Sequence, residues 1–309
     1  MRERLLETRS DVHARDDTRL AYQMRLATYE HQGRTRVGAV NEDRIVEVAR
    51  DMIELIASPA ALEKARDAAG AAEGTPLSDV RLLAPIPRPR RDVFCVGWNY
   101  SEHFREGQLV HGKEVPGLPE WPALFSKGPN TVVGPEAGVS FPSPHSQQLD
   151  WECELAVIIG RECRDVREED ALAHVFGYTC ANDVSVRDVQ RRHGGQWFKG
   201  KNFDTHLPLG PWIVTADEIP NPHALGISTR VNGVTKQDSR TEHMVFTIPR
   251  ILRDLSAGMT LVPGDIIITG TPEGVGFARK PPEYLTVGDV MEIEIEKIGV
   301  LRNTVVAGR

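Results

Sequence analysis

Glu152 and Glu154 stand near the head of a run, Leu149 to Gly160, whose far half is continuously apolar and closes on a glycine. A short apolar run with such bounds is the pattern of a buried strand. Alternate side chains on a strand share a face, so the two glutamates lie together, and Asp150 joins them if the strand reaches that far back. Neighbouring carboxylates repel, and burying them beside an apolar core costs on the order of several kcal/mol per ion unless something compensates. Two readings follow. One is a solvated strand face, the ordinary surrounding of glutamate; the other is a hard divalent cation held between the carboxylates. Met291 to Glu296 shows the first pattern, with glutamates alternating strictly against apolar residues. Glu152 and Glu154 instead run into Val157-Ile158-Ile159, which has no polar face of its own.

Further residues add to the second reading. Gly177 to Gln190 is another strand-like run, and Asp183 stands where its pattern breaks, offering a third oxygen donor. His103 and Glu106 are spaced H-x-x-E. On a helical turn their Cβ atoms are about 5–6 Å apart, so the carboxylate could orient an imidazole acting as a base. A surface turn with both groups in solvent is the alternative. The loosely patterned stretch that follows, with Gly112 and Gly117, fits a lid over residues 101–117. Arg191 to Asp204, with glycines on both sides of Trp197-Phe198 and lysines at 199 and 201, reads as an irregular loop. Gly270 to Gly276 follows the apolar Ile266-Ile267-Ile268; turn chemistry alone accounts for its glycines, and without Gly-Lys-Ser/Thr it is no phosphate loop.

Several elements must position these groups. Residues 1–22 are charged and aperiodic and read as a flexible arm; residues 23–87 read as a small α+β domain, and 88–309 as the catalytic domain. Gln23 to Val48 reads as short strands with polar turns, and Asp51 to Ala69 as a helix interrupted at Pro59. Leu82 to Pro89, with its repeated prolines, reads as an extended linker. Asn232-Gly233 between two strand-like runs is a tight hairpin signal. Thr247 to Ala257 reads as a helix with Pro249 in its first turn and Gly258 as its stop. Strands dominate, so the fold class is α+β, β-rich, with a mixed sheet.

Taken in order, Cys95-Val96-Gly97-Trp98-Asn99-Tyr100-Ser101-Glu102-His103, Pro122 to Lys127, the E-x-E strand, Asn182 to Arg187, Lys199 to Asp204, Pro208 to Trp212, Val231-Asn232-Gly233 and Pro263 to Gly276 resemble the motifs of the fumarylacetoacetate hydrolase family, from about residue 88 to the C-terminus. The resemblance implies a β-roll paired as a homodimer, with Glu152, Glu154 and Asp183 as metal ligands. Three hard oxygen donors favour Mg²⁺ or Mn²⁺ over Zn²⁺. It implies that His103 and Glu106 form a catalytic dyad, that Lys201 is the active-site lysine, and that Arg187, Gln190 and Thr271 contact substrate; Glu102, Lys127 and Lys199 are weaker candidates. The implied activity is hydrolysis of a carbon–carbon bond in an acylpyruvate-type 2,4-dioxo acid, giving pyruvate and an acid, in catabolism of aromatic or sugar-derived acids. Decarboxylation of oxaloacetate or a related 2-oxo diacid, or isomerisation of a 2-hydroxydienedioate, would use the same site. A metal-stabilised binding protein would have lost His103, Glu106 or Lys201, and all three are present.

Composition sets limits. A net charge of -7 and the lack of a basic stripe argue against nucleic acid as a partner. No apolar run approaches the ~18 residues of a membrane span, and the charged first residues do not form a secretory signal. Four cysteines without C-x-x-C spacing read as reduced, packed thiols of a cytoplasmic protein.

Overall fold

The computed structural model describes residues 23–70, 73–110 and 117–308; the expected arm at 1–22 and part of the expected lid, 111–116, lie outside the described residues. The largest sheet of the described residues is mixed and 12-stranded, with strands drawn from residues 25–268. Its main path, from edge to edge, is 75–76, 44–49, 34–41, 25–31, 207–215, 175–182, 153–159, 266–268, 93–97 and 123–127. Most neighbours are antiparallel, but 266–268 runs parallel to 93–97, with Ile268 beside Cys95. A second, five-stranded sheet, in the order 234–240, 226–231, 290–295, 299–306 and 138–140, packs against the first. The fold is α+β and β-rich, as the sequence indicates.

Both faces of the large sheet are covered, which explains the unbroken apolar run in Cys153–Ile159. Cys153, Leu155, Val157 and Ile159 enter a core shared with Ile293, Ile295 and the helix Ile248–Ser256. Ala156 and Ile158 enter the opposite core, together with Met52, Leu55 and Leu62 of the helices Met52–Ile56 and Pro59–Ala69. Glu154 has the parity of Ala156 and Ile158, so its carboxylate leaves the strand on the second face.

The local signals fall where the chain places them. The helix at 51–69 breaks before Pro59 into two, capped by the side chains of Asp51 and Ser58. Thr247 caps the helix Ile248–Ser256, and Gly258 follows it with a φ of 72°. Asn232 and Gly233 both have positive φ, as the tight hairpin between 226–231 and 234–240 requires. In two places the expectation fails. The strand-like run Gly177 to Gln190 is strand only to Val186, with a break at 183–184, and Arg187–Arg192 forms a helix. Arg191 to Asp204 is not wholly irregular, because that helix reaches Arg192 and Phe198–Lys201 forms one helical turn. All four cysteines are free and buried, and no described helix is long and apolar enough to cross a membrane.

Candidate active site

The site gathers where strand 153–159 begins and strands 175–182, 266–268 and 93–97 end. Glu154 lies in the strand and Glu152 one residue before it, so the strand does not extend back to Asp150. Asp183 leaves strand 175–182 directly, and its amide donates to the Glu152 carbonyl at 2.9 Å. The three carboxylates come together: ligand oxygens of Glu152, Glu154 and Asp183 all lie within 4.8 Å of one another, and all three residues are buried. Asp150 takes a different place. Its carboxylate accepts from the amides of Gly276 and Phe277 and from Arg187 Nε at 2.7 Å, so it holds the loop that follows residue 270.

Cations face this cluster from three elements. Lys201 Nζ, carried by the short helix 198–201, donates to Glu152 at 2.8 Å and Asp183 at 2.7 Å. Lys127 Nζ, with no exposed surface, donates to the other oxygen of Asp183 at 2.8 Å and to the Val184 carbonyl at 3.1 Å. Arg187 spans Asp150 and Glu152, with Nη1 at 2.6 Å from Glu152. Four buried carboxylates, Asp150, Glu152, Glu154 and Asp183, thus meet three buried cations.

The imbalance shows in the protonation of the two glutamates. Burial, then the charges of Asp183 and Glu152, push the Glu154 carboxyl well above its ordinary range. Burial pushes Glu152 upward as well, but Lys201 and Arg187 outweigh it and hold this carboxyl below its ordinary range. For Lys201, burial favours the neutral amine, yet Asp183 and Glu152 raise its affinity for the proton above the usual value. A hard divalent cation fits this donor set: it supplies the missing positive charge where Glu154 otherwise sits beside two like charges.

His103 lies on the helix Ser101–Val110. Its Nδ1 is 2.8 Å from Glu106 Oε1, and the Glu106 carboxylate accepts from the Gly274 amide at 3.1 and 3.2 Å. That glycine has a φ of 96°, and a Cβ there would meet the Lys236 carbonyl at 2.3 Å. Gly270, at φ 93°, donates its amide to Glu154 at 2.5 Å. Thr271 accepts from Gln237 Nε2 at 2.8 Å, and Gln190 Oε1 accepts from Arg187 at 3.2 Å. His103, Glu152, Glu154, Arg187, Gln190, Lys201 and Thr271 line one partly open cavity of about 30 Å³, bordered by Trp98 and Trp197. Arg187 Nη2 is buried without a partner among the described residues. A wider surface hollow between Trp121 and Arg253 has its acidic groups engaged by arginines and holds no comparable cluster.

Of the weaker candidates, Lys127 enters the cluster, whereas Glu102 pairs with Arg105 in solvent. Exposed Lys199 lies over the Phe203 ring at 4.7 Å. Two contributors escaped sequence reasoning. Gln237, buried in a hairpin strand, ties Thr271 and the Pro272 carbonyl to the Cys153 amide and the Thr229 hydroxyl. Trp98 packs on His103. Nothing in the local pattern around Gln237 marks it, since the distance between strand and site loop is set only by the tertiary fold.

A family model described as fumarylacetoacetate (FAA) hydrolase C-terminal matches residues 92–306, and an Rv2993c-like N-terminal model matches residues 24–85. The mitochondrial oxaloacetate tautomerase FAHD2A of Bos taurus is 49% identical over 232 residues, 75% of this chain and 71% of that protein. The oxaloacetate tautomerase YisK of Bacillus subtilis (strain 168) is 45% identical over 229 residues, 74% of each chain. Among solved structures, maleylpyruvate hydrolase from Sphingobium sp. SYK-6, in complex with manganese(II) and pyruvate, shares 33% identity at a TM-score of 0.76, over 93% of this chain and 100% of that one. The chain belongs to the fumarylacetoacetate hydrolase family and is an enzyme.

Proposed function

We propose that this enzyme interconverts the keto and enol forms of oxaloacetate or a close 2-oxo diacid, with a divalent cation and as a homodimer. The observation that carries the reading is His103, paired with Glu106, lining the same cavity as Glu152 and Glu154 of the carboxylate trio, in a chain nearly half identical to oxaloacetate tautomerases over three quarters of its length. Mg²⁺ or Mn²⁺ held by the three carboxylates would supply Lewis acidity for a 2-oxo oxygen and orient the substrate.

The chain's own groups do the rest. The unpartnered N–H groups of Arg187 Nη2 offer a charge-assisted hydrogen bond to a substrate carboxylate. Glu106 accepts the Nδ1 proton of His103, which leaves Nε2 with its lone pair to take a proton from C3. The C3–H bond breaks, the C2–C3 double bond forms, and the 2-oxygen receives a proton from Lys201 or solvent. The reverse order returns the keto form. Trp98 and Trp197 wall the cavity with apolar rings, and the low local dielectric they provide strengthens each of these electrostatic contacts.

Hydrolysis of an acylpyruvate is the second reading, favoured by the likeness to maleylpyruvate hydrolase. There His103 would activate water against the distal carbonyl. The two readings separate in one experiment: enol absorbance decay of freshly dissolved enol-oxaloacetate, pyruvate formation from oxaloacetate, and cleavage of an acylpyruvate series, each with Mg²⁺ and with EDTA. The proposal expects Mg²⁺-dependent acceleration of enol decay as the fastest reaction. Acylpyruvate cleavage with no effect on enol decay would replace it by the hydrolase reading.

A further inference from the structure

Trp98 follows the strand Val93–Gly97 with a φ of 56°, a left-handed conformation that is a true outlier for so bulky a side chain. Strain of this kind persists only where the surroundings enforce it, and it concentrates at functional sites. Here the surroundings are explicit. The indole stacks on the His103 ring, with centroids 5.0 Å apart and planes at 29°. It meets Phe104 and Trp197 edge to face, at 6.0 and 5.8 Å. On the helix 101–110 it lies flush against Gly107, where a Cβ would come within 2.5 Å of two indole carbons. Trp197, its neighbour at the cavity border, in turn lies flush on Gly97, where a Cβ would be 2.2 Å from the ring.

The consequence concerns the freedom of one ring. Among the described residues, His103 has a single in-plane anchor, the Nδ1 contact to Glu106 at 2.8 Å. One hydrogen bond fixes the tautomer and the direction of one ring edge, but it leaves the imidazole able to tilt about that axis. Phe277 lies farther off, at 6.4 Å and nearly perpendicular to the imidazole, so the two rings do not stack. The Trp98 face removes the tilt, and it does so only because the left-handed backbone turns the indole off its strand and over the cavity.

We infer that Trp98 is a positioning residue for His103: its stacked indole sets the plane of the imidazole and hence the aim of Nε2 into the cavity. The inference rests on the assignment of His103 as the proton-transfer group. A residue that merely filled space would be replaced without loss by any side chain of similar bulk, whereas a positioning face requires an aromatic plane.

The test uses Trp98→Phe, Trp98→Leu, His103→Ala and the double variant Trp98→Leu/His103→Ala in the full chain with Mg²⁺. Trp98→Leu should lower kcat for enol-oxaloacetate about 10- to 100-fold with KM changed less than about threefold, the signature of an interaction made in the transition state. Trp98→Phe should recover most of the loss. In the His103→Ala background the leucine should cost nothing more, because it acts through the ring already removed. Independently of turnover, the carbon-bound ring protons of His103, assigned by their absence in His103→Ala, should lie upfield in the NMR spectrum under the indole and lose that shift in Trp98→Leu. If Trp98→Leu keeps the wild-type kcat, or its loss adds fully to that of His103→Ala, or the His103 protons show no upfield shift, the inference is overturned. Full activity in His103→Ala would instead overturn the proton-transfer assignment itself, a result the ring-proton signals keep distinct.

Discussion

Glu154 carries an acute electrostatic problem, since it is buried, flanked by two more carboxylates and, among the described residues, accepts a hydrogen bond from one amide, that of Gly270. Glu154→Gln removes the like charge while keeping the shape. The variant should be at least as stable as the wild type in EDTA, yet should lose most of the rise in melting temperature that Mn²⁺ gives the wild type, because binding to the native state alone is what produces that rise. An equal Mn²⁺ shift in both proteins would remove Glu154 from the ligand set. His103→Ala should lower kcat for enol conversion by roughly 10²–10⁴-fold, the usual range for a general base, with the Mn²⁺ shift intact. Loss of both together would point to collapse of the site. At this scale the sequence was informative for Glu152, Glu154 and Asp183, because carboxylates leading into an unbroken apolar strand have few other reasons to be there. Trp98 was invisible as a functional residue, because its role depends on a backbone torsion.

Elements carry these residues to one another through turns that tolerate no Cβ. Gly274→Ala would force the 2.3 Å contact with the Lys236 carbonyl at a positive φ, displacing the amide that holds Glu106. It should cost about 1–3 kcal/mol in chemical denaturation and lower activity more than Mn²⁺ binding, since the carboxylate trio lies on other elements. Unchanged denaturation would show that the loop repacks freely. His206 ties the start of strand 207–215 to Ser140, its Nε2 2.8 Å from that carbonyl, and burial lowers its pKa from the usual value to about 3. Between roughly pH 6.5 and 3 the unfolded chain binds a proton that the native state excludes, so this contribution is full above that window and is lost as the pH falls through it. At about 1.4 kcal/mol per unit it amounts to at most roughly 5 kcal/mol. Stability measured across that window should fall more steeply for the wild type than for His206→Asn; parallel curves would refute the assignment. The helices and hairpins were legible from proline, glycine and capping residues, which act locally. The helical turn 198–201 was not, because flanking glycines mask it and its lysine is held by partners distant in sequence.

Across the whole molecule the sheet does two things at once: it buries both faces of its central strands and lines up their ends, so that oxygen donors from 152–154 and 183 meet cations from 127, 187 and 201. The mixed β-rich class followed from the many short strands. The pairing of strand 25–31 with 207–215, which joins the first strands to the same sheet, had no local signal, since strand order is fixed by long-range packing. The proposed chemistry depends on the carboxylate trio holding a divalent cation. Its most direct test is anomalous X-ray scattering at the manganese edge, from crystals of the protein stripped with EDTA and reloaded with Mn²⁺. One strong peak is expected between Glu152, Glu154 and Asp183, at about 2.0–2.3 Å from a carboxylate oxygen of each. No peak there, or a peak only on exposed carboxylates elsewhere, would contradict the proposed chemistry.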